Sequence, residues 1–307
     1  MRAYLTYVTY RLISALVGRL PPRMGYWLAN RAGVLLYQFY PGLQQIVTDN
    51  MRHVLGPEAS EQAVQAAARQ ACANIAKGHY ELFRLPRLTL DDICDLVQVE
   101  GMEYVQSTLG QGRGVVITSA HVGNVDIVSQ FPATYGLSLV GAAQHIKPER
   151  LFRYLLRVRQ KHGLRLIPSD ESMLPLFRAL KRGGIVALPS DRDIADHGQV
   201  VKFFGAPTRL PDGPVRVALR TGAALIPAFV SRLPDESFAV RVEPALDLPH
   251  SGDMEADVTA GLKMVVAAME RHIARDPAQW LVAALVWPKD GSSGAASNGD
   301  ENRASTQ

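Results

Sequence analysis

Between residues 97 and 244 the chain alternates short runs rich in valine and isoleucine with helix-length amphipathic pieces. This rhythm restricts the fold more than any other feature. The runs are VQVEG, GVVITSA, LSLVGAA, LRLIP, GGIVALPS, VVKFFG, ALIPAFV and FAVRVEP, each of strand length. Helical segments at 148–162, 172–182 and 213–222 separate several of them, as expected where helices carry the chain between parallel strands. The expected class is therefore α/β, with a central mixed, largely parallel sheet flanked by helices. Upstream, EASEQAVQAAARQACANIAKGHYELFRL (58–85) reads as one long helix stopped by Pro86, and 255–274 reads as a late helix. From Lys289 onward the chain has almost nothing apolar to bury, so a disordered tail is expected over 289–307. The remaining division is between N-terminal helices, 1–56, and an α/β domain, 57–288.

The N-terminal stretch YLTYVTYRLISALVGRL is about the length of a membrane span. It carries Arg11 at its middle, however, where a charge costs roughly 2.5–3.5 kcal/mol. Arg2, Arg11 and Arg19 together with Tyr4, Tyr7 and Tyr10 suit a helix lying among lipid headgroups, where arginines snorkel and aromatic rings sit at the interface. MGYWLANRAGVLLYQFYP continues that character after LPP. An ordinary buried helical pair is the alternative reading. A signal peptide fits less well, since the leading region has one Arg and no Ala-x-Ala follows. With 33 basic and 29 acidic residues the charge balance is mild. It permits contact with anionic lipid or phosphate and, without a recognisable nucleic-acid signature, predicts no nucleic-acid partner. Cys72 and Cys94 form neither a CxxC nor a disulfide framework.

SAHVGNVD, 119–126, places His121 where a buried strand runs into a helix, the carboxyl edge at which open α/β sheets bind ligands. The His-x4-acid spacing is not distinctive in itself, because His53/Glu58 and His250/Glu255 share it. Neither of those follows a strand. Asn124 is placed as the N-cap, which puts Asp126 in the first turn, where the helix dipole favours an acid regardless of chemistry. On a continuous helix two residues five apart diverge by about 140°, so a His121–Asp126 pair needs His121 in the loop, with Gly123 bending it back. A carboxylate on one ring nitrogen then leaves the other free to accept a hydroxyl proton. Absence of G-x-S-x-G argues against a hydrolase-type serine nucleophile.

Two further stretches carry charge into the pattern. In PERLFRYLLRVRQKHG, Arg150, Arg153, Arg157 and Lys161 form a basic stripe, while Arg159 falls on the apolar side and so needs an anion, either an internal carboxylate or a ligand. ALPSDRDIADHG is again a strand entering a polar turn, with Asp191, Arg192, Asp193, Asp196 and His197. A solvated turn and a metal-dependent hydrolase that draws on His121, Asp126, Asp191, Asp193 and His197 are both open at this point.

SAHVGNVD, RVRQKHGLRLIP, GGIVALPSDRD and KFFGAPTRLPDGPVRVALRTGAALIPAFVSR, in this order and spacing across about residues 100–235, resemble the bacterial lipid A late acyltransferases and phosphatidylinositol mannoside acyltransferases. The resemblance implies a peripheral or monotopic enzyme on the cytoplasmic face of the inner membrane. Such an enzyme moves a fatty acyl group from acyl-CoA or acyl carrier protein to a hydroxyl of a glycolipid or phospholipid, with no metal and no cofactor beyond the thioester co-substrate. It implies His121 as general base with Asp126 orienting it, and Arg159, Asp191 and Arg192 beside the acceptor. Asn124 at the motif and Arg209, Pro211 and Gly213 in the FFG segment would complete the pocket. DRD is closer to the mannoside branch than to lipid A enzymes, which more often carry DQ. A non-catalytic membrane-binding protein of the same fold is the remaining alternative.

Overall fold

A computed structural model describes residues 2–193 and 197–287; the expected tail and Asp196 lie outside them. Proline and glycine cut the N-terminal part into helices. These are α1 (Arg2–Val17), α2 (Pro22–Phe39) and α3 (Pro41–Leu55). Pro22 and Pro41 open their helices at the position where a missing N–H costs nothing, and Gly56 (φ 78°) ends α3. The long helix α4 (Glu61–Arg84) starts where the Ser60 side chain accepts from the Ala63 N–H at 3.2 Å, and it stops before Pro86 as expected. α5 (Leu90–Leu96) follows, opened by a Thr89/Asp92 capping box.

The alternating part then runs β1 (Val97–Glu100), α6 (Met102–Gly110), β2 (Val115–Ser119), α7 (Val125–Val128), β3 (Leu139–Ala143), α8 (Glu149–Arg159) and β4 (Arg165–Pro168). It continues α9 (Leu174–Lys181), β5 (Ile185–Pro189), β6 (Gln199–Phe203), β7 (Ala206–Leu210), α10 (Gly213–Thr221), β8 (Ala224–Arg232), β9 (Phe238–Val242) and α11 (Met254–Ile273). Among the described residues β1-β9-β8-β2-β5-β3-β4 form one seven-stranded sheet. It is parallel throughout except at β8–β9, where the pairing is antiparallel. The largely parallel α/β class is therefore observed. Alternate side chains of each central strand enter opposite cores: Val116, Val140 and Val186 pack with α3, α4, α9, α10 and α11, and Val115, Leu139 and Ile185 pack with α5, α6 and α8.

Sequence reasoning passed over β7. Pro207 lies within it and removes a backbone donor, which a central strand does not tolerate but a two-stranded hairpin does. Phe204 and Gly205, both at positive φ, make the tight turn joining it to β6.

The first 56 residues share a core with the rest: Tyr37, Val47 and Met51 belong to the same apolar cluster as Val258 and Trp280. On α2 the buried stripe Gly25, Ala29, Gly33 and Tyr37 recurs every four residues and lies against α4. A Cβ on Gly25 would enter the Tyr80 ring and one on Gly33 would overlap the Cys72 carbonyl, so only glycine permits this approach. Outward from that contact α1 and α2 expose Leu12, Leu16, Trp27, Leu35 and Phe39, the last 76% accessible. No described helix is long and apolar enough to cross a membrane.

Gly33→Val is expected to lower stability by roughly 1–3 kcal/mol through overpacking, read as a reduced urea midpoint. Gly42→Ala, where nothing lies within 4 Å, leaves the midpoint unchanged or raises it.

Candidate functional site

Strand register builds the site. β2 and β5 are parallel with Ser119 opposite Pro189, so the residues two beyond each strand end, His121 and Asp191, emerge side by side. The carboxylate of Asp191, which has no solvent exposure, accepts three hydrogen bonds. The His121 backbone N–H reaches Oδ2 at 2.7 Å, the His121 Nδ1–H reaches Oδ1 at 2.6 Å, and the Trp280 indole N–H reaches Oδ2 at 2.8 Å. A carboxylate on Nδ1 selects the tautomer with its proton there and leaves the Nε2 lone pair outward. No described residue bonds Nε2, and the His121 side chain is 30% exposed. Burial pushes the Asp191 carboxyl up; the charge and hydrogen bonds of His121, with the bond from Trp280, outweigh that and hold it below the usual carboxylate range.

The loop between His121 and α7 is held on three sides. The Leu281 N–H donates to the His121 carbonyl at 2.7 Å and the Gly123 N–H to the Gln279 carbonyl at 3.0 Å, so the segment after α11 runs along it as a short bridge. Gly123 (φ 66°) lies so close to Val230 that a Cβ would come within 2.7 Å of it. Asn124 caps α7 as expected, its Oδ1 accepting from Asp126 N–H at 2.8 Å and Ile127 N–H at 3.2 Å. Its amide donates to Glu81, a buried carboxylate that also accepts from Arg232 and, at 2.9 Å, from the Tyr26 hydroxyl of α2.

Asp126, expected on the imidazole, is instead paired with Arg159, and the carboxylate on His121 belongs to Asp191. The physical reason is direction: from the first turn of α7, Asp126 projects toward the end of α8, whereas the β2–β5 register delivers Asp191 to the ring. Arg159 Nε lies 2.8 Å from Asp126 Oδ1 without its N–H aimed at the oxygen, and Nη2 donates to Oδ2 at 3.3 Å. Arg159 thus has the internal carboxylate partner, with about a third of its side chain still accessible. Two residues that sequence reasoning did not assign to the site stand close enough to feel this pair. Tyr10 of α1 has its hydroxyl pushed up to about 12, by burial first, with Arg159 opposing. The imidazole of His79 in α4 is held below its ordinary value, by desolvation first, with the Arg159 charge adding to this and that of Asp126 opposing it. They bring α1 and α4 beside the Asp126–Arg159 pair of α7 and α8.

The other anticipated residues fall outside this group. Arg192 follows Asp191 half-buried and makes no described polar contact with His121. Arg209 donates to the Gly198 carbonyl at 2.7 Å, and Asp193 accepts from the Gly198 N–H at 2.7 Å, so both are engaged on the backbone of Gly198. The acids required by a metal-centred reading are engaged in this way, and no cluster of three such ligands occurs among the described residues. Trp280 was missed altogether. Its only sequence signal was a second tryptophan, Trp287, in a segment with no helical or strand period.

Comparison with known proteins bears on this arrangement. The profile of the family described as bacterial lipid A biosynthesis acyltransferase matches residues 1–287. The phosphatidylinositol mannoside acyltransferase of Mycolicibacterium smegmatis is 30% identical over 240 residues, 77% of this chain and 75% of that protein. The protein of the same name from Mycobacterium tuberculosis is 28% identical over 287 residues, 86% of this chain and 87% of that protein.

Trp280→Phe removes one donor from a buried carboxylate and is expected to cost roughly 1–3 kcal/mol in urea unfolding. Because the Asp191 pKa lies below that of the unfolded chain, its stabilisation is complete above about pH 4 and is lost as pH falls through the folded value. Without the indole donor the folded pKa rises, so acid unfolding of the variant begins at higher pH.

Proposed function

Because the chain belongs to the bacterial lipid A biosynthesis acyltransferase family, we propose that it transfers a fatty acyl group from a thioester donor, acyl-CoA or acyl carrier protein, to a glycolipid or phospholipid hydroxyl, with His121 as general base. The observation that carries this reading is the outward Nε2 of an imidazole whose Nδ1–H is locked onto a buried carboxylate. As the acceptor oxygen attacks the thioester carbonyl, Nε2 takes its proton; the C–O bond forms, the C–S bond breaks, and the same proton passes to the departing thiolate. Asp191 stays ionised and stabilises the imidazolium in between. The acceptor class that the mycobacterial relatives support is a phosphatidylinositol mannoside, with a lipid A precursor as the other member of the family's range. The accessible edge of Arg159, held by Asp126, is suited to the acceptor's polar head and to charge developing on the carbonyl oxygen.

A lipid substrate has to be met at a surface. The exposed Leu12, Leu16, Trp27, Leu35 and Phe39 of α1 and α2 support docking of these helices into the headgroup layer, and the localisation proposed is the cytoplasmic face of the inner membrane. In vesicle sedimentation with anionic phospholipid, the double variant Trp27→Asp/Phe39→Asp should lose at least tenfold in partitioning, since burying each aromatic contributes about 1.5–3 kcal/mol. Unchanged partitioning would remove α1–α2 as the docking face.

For the chemistry, His121→Ala and Asp191→Asn should each lower turnover by about 10²–10⁴-fold with the fold intact by circular dichroism, whereas Asp126→Asn should chiefly raise KM for the acceptor. The cellular counterpart is mass spectrometry of lipids from a deletion strain. One lipid losing a single acyl chain, restored by wild type and not by His121→Ala, is the expected result; normal turnover by His121→Ala would overturn the base assignment.

A further inference from the structure

β4 is one edge of the seven-stranded sheet, and two adjoining concavities of about 360 and 240 Å³ run between it and α9. Arg165 and Arg178 line both, and Arg182 joins them in the second. None of these three guanidinium groups forms a hydrogen bond or ion pair with a described residue. Other surface arginines do find acids, as Arg52 does on Glu61, Arg216 on Glu255 and Arg271 on Glu243. The acid lining the first concavity, Glu171, follows the carboxyl end of β4 and is absent from the second, so the arginine end carries uncompensated positive charge. Leu174 and Pro175 give the same groove an apolar wall.

We propose that this groove binds a nucleoside phosphate. A planar guanidinium grips phosphate oxygens in pairs and also stacks on a flat base, and the apolar wall serves the remainder of such a ligand. Concavity selects for a small molecule: a bilayer plane or a convex acidic protein would bridge the rim and leave the groove unfilled, while its volume is that of a small-ligand pocket. Position then suggests the source. β4, β3, β5 and β2 are parallel, so the Pro168 end of the groove and the His121 loop lie on the same edge of the sheet, three strand spacings or about 14 Å apart, while Arg165 at the start of β4 lies about 10 Å further back along the strand. The nucleotide end of a coenzyme A thioester would sit on the arginines while its arm runs along the groove to Pro168 and then across that edge to His121; this half of the proposal rests on the acyltransferase reading above.

The test compares the full chain with Arg165→Gln/Arg178→Gln in two measurements. Calorimetric titration with adenosine 3′,5′-bisphosphate should show salt-sensitive binding to wild type and at least tenfold weaker binding to the variant. Acyl transfer should show a similar rise in KM for acyl-CoA with KM for acyl-pantetheine, which lacks the nucleotide, unchanged. Equal binding of the bisphosphate by both proteins, or none by wild type, overturns the groove assignment. Weakened binding with an unchanged acyl-CoA KM supports the groove as a site for a free nucleotide and overturns its donor role. Absence of transfer by wild type with any donor would count against the acyltransferase reading, and the titration alone would then decide the groove.

Discussion

The arrangement depends on one buried carboxylate. An ionised group with no contact with water is tolerated only where hydrogen bonds and an adjacent positive or polarisable partner replace its hydration. Asp191 meets that requirement with two donors from His121 and one from Trp280. The acceptor and its donors are supplied by three parts of the fold: the β5 terminus brings Asp191 itself, the β2 terminus brings His121, and the segment after α11 brings Trp280. The Thr118 and Ser190 hydroxyls, 2.7 Å apart and buried, join the two strand ends just beneath. The same contacts that make burial of the charge tolerable also leave a single ring nitrogen of His121 available, so stability and reactivity come from one set of bonds.

A second buried charge ties the N-terminal helices to this loop. Glu81 in α4 is matched by Arg232 at the end of β8, accepts from Tyr26 in α2, and accepts from the amide nitrogen of Asn124, whose side-chain oxygen caps α7. Arg232 is further held by Glu236, which Lys77 reaches at 2.6 Å, and its backbone exchanges two hydrogen bonds with the Gln279 side chain. Breaking any member strands a charge away from water, so such a network specifies one arrangement even where an apolar replacement would match its stability. The network thus joins α2, one of the helices with exposed apolar surface, to the loop carrying His121. α1 packs on α4 and α8 as well: Tyr10 lies on Phe83 and Tyr154, and the Ser14 and Tyr154 hydroxyls meet at 2.9 Å.

Local signals were well expressed in the chain. The valine- and isoleucine-rich runs became strands, Ser60 and Pro86 bounded the long helix, and Asn124 capped α7, because propensity, capping and turn chemistry act over a few residues and leave their mark in the order of residue types. His121 was legible for the same reason, as a histidine at a strand-to-helix turn. β7 escaped because its proline contradicts the strand pattern, and only pairing with β6 in a separate hairpin makes it acceptable.

The amino-acid sequence by itself determined the α/β class, the element boundaries near their caps, the family motifs and the position of the histidine along the chain. Tertiary structure alone decided which acid serves that histidine. Asp126 was five residues away in sequence, yet helix geometry turned it to Arg159; Asp191 was seventy residues away, and the parallel register of β2 and β5 set it on Nδ1. Trp280 came from farther still, carried in by the packing of α11. Pairing across a sheet depends on strand order and register, which follow from how whole faces of the molecule are buried rather than from any short stretch of residues.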